Sequence, residues 1–144
     1  MVKCIVYKGD YKYQLKKSYV IYIRISLSDR IHTDFICLET SGELTIKEGY
    51  AWDGATCAPD IPSIMRGSLV HDALYQLMRR SENGLDDNIH REPADRILQD
   101  ICKEDGMWGI VAWLVYIVVH HFAAPAADPA NKHPFKYRPN SCQQ

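Results

Sequence analysis

The sequence changes character at Gly49, and this change limits the folds that the chain can adopt. Before Gly49 the segments are short and rich in β-branched and aromatic residues, as in Tyr19 to Leu27, which reads YVIYIRISL and is predicted to be a strand. After Gly49 a loop gives way to apolar residues at helical spacing. Strands that come first, followed by helices, are typical of an α+β domain.

Two hairpins are predicted in the N-terminal part of the chain. Asp34 to Glu39 and Glu43 to Lys47 flank the sequence TSG, whose residues favour a turn. Val2 to Tyr7 and Tyr11 to Leu15 flank the sequence KGD and form the second predicted pair. Both pairs are antiparallel because a short turn reverses the chain direction.

Three helices are predicted after the loop. The first runs from about Ser68 to Arg80, and the third from about Met107 to Phe122. The second begins at Pro93, which suits the first helical position, and ends at Gly106. We expect one domain of residues 1–144, divided into a β-rich part (1–48), a loop rich in Asp, Gly and Pro (49–67), a helical part (68–122) and a coil tail (123–144).

Composition and charge argue against several classes of protein. The formal net charge is -1 and the basic residues are scattered, so we expect no nucleic-acid partner. The five cysteines form no CxxC pair, which argues against a zinc ribbon or a disulfide framework. The N-terminal sequence MVKCIVYKGD has no long apolar stretch, so no signal peptide is expected.

The predicted third helix contains the longest apolar run of the chain. Trp108 to Val119 reads WGIVAWLVYIVV and is followed at once by His120 and His121. A bilayer span needs about twenty apolar residues, more than this run provides. The favoured prediction is a buried core helix, and contact with a membrane surface is the alternative.

The segment from Val70 to Tyr75 holds ionisable residues inside an apolar helical stripe. His71 and Tyr75 are one turn apart on the same face, while Asp72 points about 100° away from them. Burying such groups is costly without polar partners, so partners are expected. Asp95, on the apolar face of the second helix, and Asp53, in the loop, are the candidates. The three helices are therefore predicted to pack around a His-Asp centre.

One assignment gives each of these groups a chemical role. His71 acts as a general base on water, and Asp95 and Tyr75 orient its second ring nitrogen. Asp72 and Asp53, with loop carbonyls of residues 54–57, hold a hard cation such as calcium, which stabilises a developing oxyanion. This pattern predicts a hydrolase of ester or amide bonds. In the alternative, His71 and Asp72 are a buried polar pair that only fixes the loop to the helix.

Other titratable residues have simpler interpretations. His120 and His121 lie at a helix end, where the dipole favours a positive charge, so they are interpreted as cations rather than ligands. Taken alone, Asp95 fits the charge preference of a helix N-terminus. His32 and His90 are expected to be solvated, and Cys57 is not expected to be a nucleophile.

Several motifs resemble a family of short phage and prophage proteins of unassigned function. They are the run GYAWDGAT from Gly49 to Thr56, the run RGSLVHDALYQLMR from Arg66 to Arg79, and the shorter pieces ADR, EDGM and AWLVY that follow in order. The resemblance covers roughly residues 43–124. It implies a location in the bacterial host cytoplasm or in the virion, and partners among other phage structural or envelope components.

The His-Asp-x-x-Tyr pattern is also similar, more distantly, to the core of the secreted phospholipases A₂. This second resemblance implies that His71 is the base and Asp72 a calcium ligand, with Tyr75 and Asp95 as hydrogen-bonding support. These observations predict three alternative functions. They are a small metal-assisted hydrolase acting on lipid or cell-envelope material, a non-catalytic virion, tail-associated or assembly component, and a membrane-surface accessory protein that uses the third helix.

Overall fold

The computed structural model describes residues 5–7, 13–54, 61–80, 84–122 and 136–138, with the backbone alone in the first and last ranges. The strands are β1 (Ile5–Tyr7), β2 (Tyr13–Gln14), β3 (Tyr19–Tyr22), β4 (Ile31–His32), β5 (Ile36–Leu38), β6 (Glu43–Ile46), β7 (Ala51–Trp52) and β8 (Lys136–Arg138). The helices are α1 (Pro62–Met78), α2 (Asp87–Glu104) and α3 (Gly109–Phe122). This order of antiparallel strands followed by three helices confirms the predicted α+β class.

The largest sheet has four antiparallel strands in the order β3-β6-β5-β4. The hairpin predicted around TSG is confirmed as β5 and β6, with Leu38 opposite Leu44 and Ile36 opposite Ile46. Gly42 in the turn has a φ of 93°, and a Cβ there would lie 2.3 Å from the carbonyl oxygen of Ile23. Only glycine fits this turn, both for its backbone angle and for its space.

The second predicted hairpin is wrong in its pairing. β1 pairs with β8, and β2 pairs with β7, so neither strand pairs with the other. The cross-strand contact of Tyr13 and Trp52, with ring centroids 5.5 Å apart, joins β2 to β7. Such aromatic pairs stabilise a strand pairing between distant segments that no local turn signal reveals. The coil prediction for the tail is likewise wrong at β8; its other residues lie outside the described part.

Helix α1 begins at Pro62 instead of Ser68, so part of the predicted loop is helical. Proline is well suited to this position because its missing N–H has no partner in the first turn of a helix. Gly67 lies in the added part, and a Cβ on it would approach the Cδ1 atom of Leu98 to 2.8 Å. The glycine therefore allows close contact between α1 and α2.

Helix α2 also begins earlier than predicted, at Asp87 instead of Pro93. The side chain of Asp86 caps it by accepting a 2.9 Å hydrogen bond from the N–H of Asn88. Pro93 therefore lies inside the helix, where its ring leaves the carbonyl of the exposed residue Ile89 without the usual donor. Asp95 lies well beyond the first turn, so the helix N-terminus does not explain its position.

The prediction that the third helix is buried in the core is confirmed for one of its sides and wrong for the other. α3 buries only Ala112, Val115, Tyr116 and Val119, and its main packing partner is α2. Its opposite side is exposed; the exposed fraction is 50% for both Trp113 and Leu114. The helix is apolar all round, but only one of its sides is covered. No helix in the described ranges is long and apolar enough to cross a bilayer.

Candidate functional site

Asp95 lies at the centre of a buried polar cluster that joins the three helices. Its side chain is fully buried and its Oδ1 atom accepts two hydrogen bonds from α1. The Nε2 atom of His71 donates one at 2.7 Å, and the hydroxyl of Tyr75 donates the other at 2.6 Å. The rings of His71 and Tyr75, one helical turn apart, lie 4.1 Å from each other. The spacing of His71 and Tyr75 thus places both donors on one carboxylate oxygen.

The charge of Asp95 determines the tautomer of His71. Burial works to raise the pKa of Asp95, but the hydrogen bonds from His71 and Tyr75 outweigh it and the pKa is lowered. An ionised carboxylate is an acceptor only, so the Nε2 atom of His71 carries the hydrogen. In the neutral imidazole the lone pair then lies on Nδ1. Within residues 13–54, 61–80 and 84–122, no hydrogen-bond partner of Nδ1 is found.

Tyr75 is held in its protonated form by the same carboxylate. Burial and then the hydrogen bond to Asp95 raise the pKa of its hydroxyl far above the ordinary value. The hydroxyl remains a donor over the whole working range of pH. Tyr75 therefore orients Asp95 and does not exchange protons itself.

His120 is a member of the cluster that sequence reasoning missed. Its Nδ1 atom lies 3.1 Å from Oδ2 of Asp95 and donates to it, and its ring stacks on Tyr116 with centroids 5.4 Å apart. Arg91 adds a positive charge 3.9 Å from the same oxygen and donates to the carbonyl of His120. The spacing offered a signal, because His120 lies one turn after the buried Tyr116 on the same face of α3.

Asp72 occupies a separate polar position on the other side of α1. Its Oδ2 atom accepts a 2.8 Å hydrogen bond from the hydroxyl of Tyr50. Burial raises the pKa of this carboxyl, and the hydrogen bond from Tyr50 and the charge of Arg79 offset only part of that effect. Ionisation of Asp72 is therefore less favourable than that of an exposed aspartate.

Asp53, the other predicted metal ligand, is exposed just after β7. Its charge also raises the pKa of Asp72, although less than burial does. Across the described ranges, no group of three or more His, Cys, Asp or Glu side chains is placed to hold one metal ion. The predicted carbonyl ligands at residues 55–57 lie outside these ranges. Gly54, with a φ of 91°, is described.

The sequence RGS in α1 fixes the helix that carries His71. Arg66 donates to both carboxylate oxygens of Asp105 and to the hydroxyl of Tyr19, which joins α1 to the end of α2 and to β3. Gly67 gives the close approach to α2. Ser68 accepts a 3.1 Å hydrogen bond from the indole N–H of Trp52 and donates to the carbonyl of Met65. These contacts join α1 to β7, to β3 and to the end of α2, and so fix the helix that carries His71.

The structure thus brings His71, Tyr75 and Asp95 into one cluster and places Asp72 and Asp53 next to it. The direct contacts of Asp72 and Asp95 are different, so the five predicted residues do not form a single hydrogen-bonded set. No protein-family model, no curated protein and no solved structure matches the chain.

Proposed function

We propose that the protein is a small hydrolase of ester or amide bonds in which His71 is the general base. The observation that carries the proposal is the orientation of the imidazole. Asp95 accepts the hydrogen of Nε2 at 2.7 Å, which leaves the lone pair on Nδ1 for a water molecule. A histidine oriented by a buried carboxylate is the arrangement that activates a nucleophile in many unrelated enzymes.

The reaction that follows from this geometry is a direct attack by water. Nδ1 of His71 takes one proton from the water as its oxygen bonds to the carbonyl carbon of the substrate. The carbonyl becomes an oxyanion, and when it re-forms, the bond to the alcohol or amine leaving group breaks. The imidazolium gives its proton to that leaving group, so the base is regenerated. Asp95 stabilises the imidazolium, and Tyr75 and His120 keep the carboxylate in place.

Asp72 and Asp53 are proposed to bind a divalent cation such as calcium near the base. Both are carboxylates, which are the ligands that hard cations prefer, and a bound cation would offset the unfavourable burial of the Asp72 charge. When bound, the cation would stabilise the oxyanion. Loop carbonyls of residues 54–57 and water would supply the remaining oxygen ligands.

The substrates proposed are lipid esters or cell-envelope material, in a phage or prophage setting. This choice rests on the two sequence resemblances. A second candidate function is a non-catalytic virion, tail-associated or assembly component in which the cluster only stabilises the fold. The observation that favours it is burial. His71 is 4% exposed, and Asp95 joins α1, α2 and α3 without contact with solvent.

Purified protein should be assayed on p-nitrophenyl esters of increasing chain length, on a fluorogenic phospholipid and on isolated cell-wall sacculi. The hydrolase predicts turnover on one of these that falls by about 100-fold or more in His71→Asn. The matched control, His32→Asn, changes an exposed histidine in β4 and should keep full activity. Added calcium should raise the activity of the wild type, and EDTA should abolish that gain.

The two candidate functions differ in the outcome of the same experiment. If His71→Asn unfolds the chain and no substrate is hydrolysed by the wild type, the cluster is structural. Detection of the chain by mass spectrometry in purified virions of its host phage would then favour the non-catalytic component. Activity that is equal in the wild type and in His71→Asn would exclude His71 as the base.

A further inference from the structure

The outward side of α3 exposes large apolar side chains, most of them at its N-terminal end. Its large exposed side chains, together named the α3 face, are Trp108, just before the helix, and Ile110, Val111, Trp113, Leu114 and Phe122. Trp108 is 79% exposed and Ile110 is 68% exposed. Scattered apolar residues are normal on protein surfaces, but five exposed apolar side chains within residues 108–114 form a local cluster of the kind that marks an interaction site.

The area of the α3 face is close to what a stable dimer requires. With side-chain areas of about 150–250 Å² for aromatic residues, the exposed fractions correspond to roughly 600 Å². The largest apolar patch on a typical monomer covers about 300–600 Å², and a standard interface buries about 800 Å² on each partner. A second copy that covers this face, together with a polar rim, reaches that size.

The charge pattern favours a protein surface over a lipid surface as the occupant. The sequence from Met107 to Phe122 contains no Lys, Arg, Asp or Glu. Helices that lie on membranes usually carry Lys and Arg on their polar side, which attract anionic headgroups. Homodimer interfaces are instead depleted in charge and enriched in Trp, Phe and Met. The formal net charge of -1 also means that two copies repel each other little.

The spacing within the face fits helix-on-helix packing. Ile110 and Leu114 lie one helical turn apart on the same side of α3, and the half-buried Ile117 follows three residues later. In a two-fold symmetric dimer, each copy contributes the same surface to the interface. One apolar face is therefore sufficient to form a dimer that does not grow further. We propose that the protein forms a two-fold symmetric homodimer through the α3 face. This interaction is independent of any hydrolase activity.

Sedimentation equilibrium of the full chain, at concentrations of about 1–100 µM, tests the proposal. The wild type should have the mass of a dimer, and Leu114→Asp should raise the dissociation constant of that dimer by about 100-fold or more. The matched control is Ile89→Asp, which places the same charge on an exposed isoleucine of α2 and should leave the mass unchanged. Far-UV circular dichroism checks that both variants are folded, and Trp113→Ser serves as a second variant.

Three outcomes would overturn the proposal. The first is a wild type that stays monomeric over the whole range of concentration. The second is a monomeric wild type that sediments with vesicles of phosphatidylcholine and phosphatidylglycerol, while Leu114→Asp does not. This result would show that the face binds lipid. The third is a dimer that survives both Leu114→Asp and Trp113→Ser, because another surface would then join the two copies.

Discussion

The Nε2 atom of His71 lies 2.7 Å from the Oδ1 atom of Asp95, and this contact joins α1 to α2 inside the protein. His120 reaches the second oxygen of the same carboxylate from α3. One ionised side chain thus receives donors from two other helices. The arrangement stabilises the helical packing and at the same time orients a histidine, so stability and activity must be measured together in each variant.

Asp95→Ala should lower the free energy of unfolding by about 3 kcal/mol, because it leaves the buried donors of His71 and Tyr75 without an acceptor. Urea denaturation at pH 7 measures this change. Asp100→Ala is the matched control, since it removes a solvent-exposed partner of Lys103 from the same helix and should cost less than about 0.5 kcal/mol. Equal losses of unfolding free energy in the two variants would contradict the stabilising role of the hydrogen bonds to Asp95.

Asp95 should also contribute to acid sensitivity. Its pKa is lower in the folded protein than in the unfolded chain, where it is about 3.9. Its contribution to stability is therefore complete above about pH 4 and is lost as the pH falls through the folded pKa. The difference in unfolding free energy between the wild type and Asp95→Asn should narrow as the pH is lowered below 4. A difference that is constant from pH 7 downward would argue against an ionised Asp95.

Asp72→Asn should stabilise the protein at pH 7, in the opposite direction to the Asp95 variants. The pKa of Asp72 is raised by burial, so its ionisation destabilises the fold as the pH rises through the folded pKa. Asparagine keeps an acceptor for the hydroxyl of Tyr50 and removes the charge. The gain should be present at pH 7 and should disappear below about pH 4, where the aspartate is protonated in both states.

A stability gain in Asp72→Asn has a functional meaning when activity is measured on the same sample. Residues kept for activity are often destabilising, so a more stable and less active variant would support a role in the reaction or in cation binding. A loss of stability at pH 7 would instead show that the carboxylate of Asp72 is needed for the fold.

Gly67→Ala should destabilise the protein by about 1–2 kcal/mol even though alanine favours a helix. The new Cβ would lie 2.8 Å from Cδ1 of Leu98 and 3.3 Å from Sγ of Cys102, so the buried side chain of Leu98 or the two helices would have to move. Gly109→Ala is the control, because a Cβ there meets no atom within 4 Å. Thermal unfolding of both variants distinguishes the effect of close packing from that of helix propensity. A higher midpoint of thermal unfolding for Gly67→Ala than for the wild type would contradict the tight contact.

Some parts of the structure follow from local sequence. The β5–β6 hairpin follows from its turn residues, and the pairing of His71 with Tyr75 on one face follows from helical spacing. Asp95 was expected as a partner because a charged residue on an apolar helix face needs one. These features depend on the backbone angles that turn residues favour, on helical periodicity and on the cost of burying charge. All three can be recognised in short stretches of sequence.

Other parts were decided by contacts between distant segments. The pairing of β1 with β8, the place of His120 beside Asp95 and the exposure of one side of α3 all depend on which surfaces meet. The His-Asp centre depends partly on local sequence and partly on contacts between distant segments. The sequence by itself determined that His71 and Asp95 need polar partners, because a buried charge is costly without them. Only the tertiary structure decided that one carboxylate receives donors from both neighbouring helices, because the packing of three helices sets those distances.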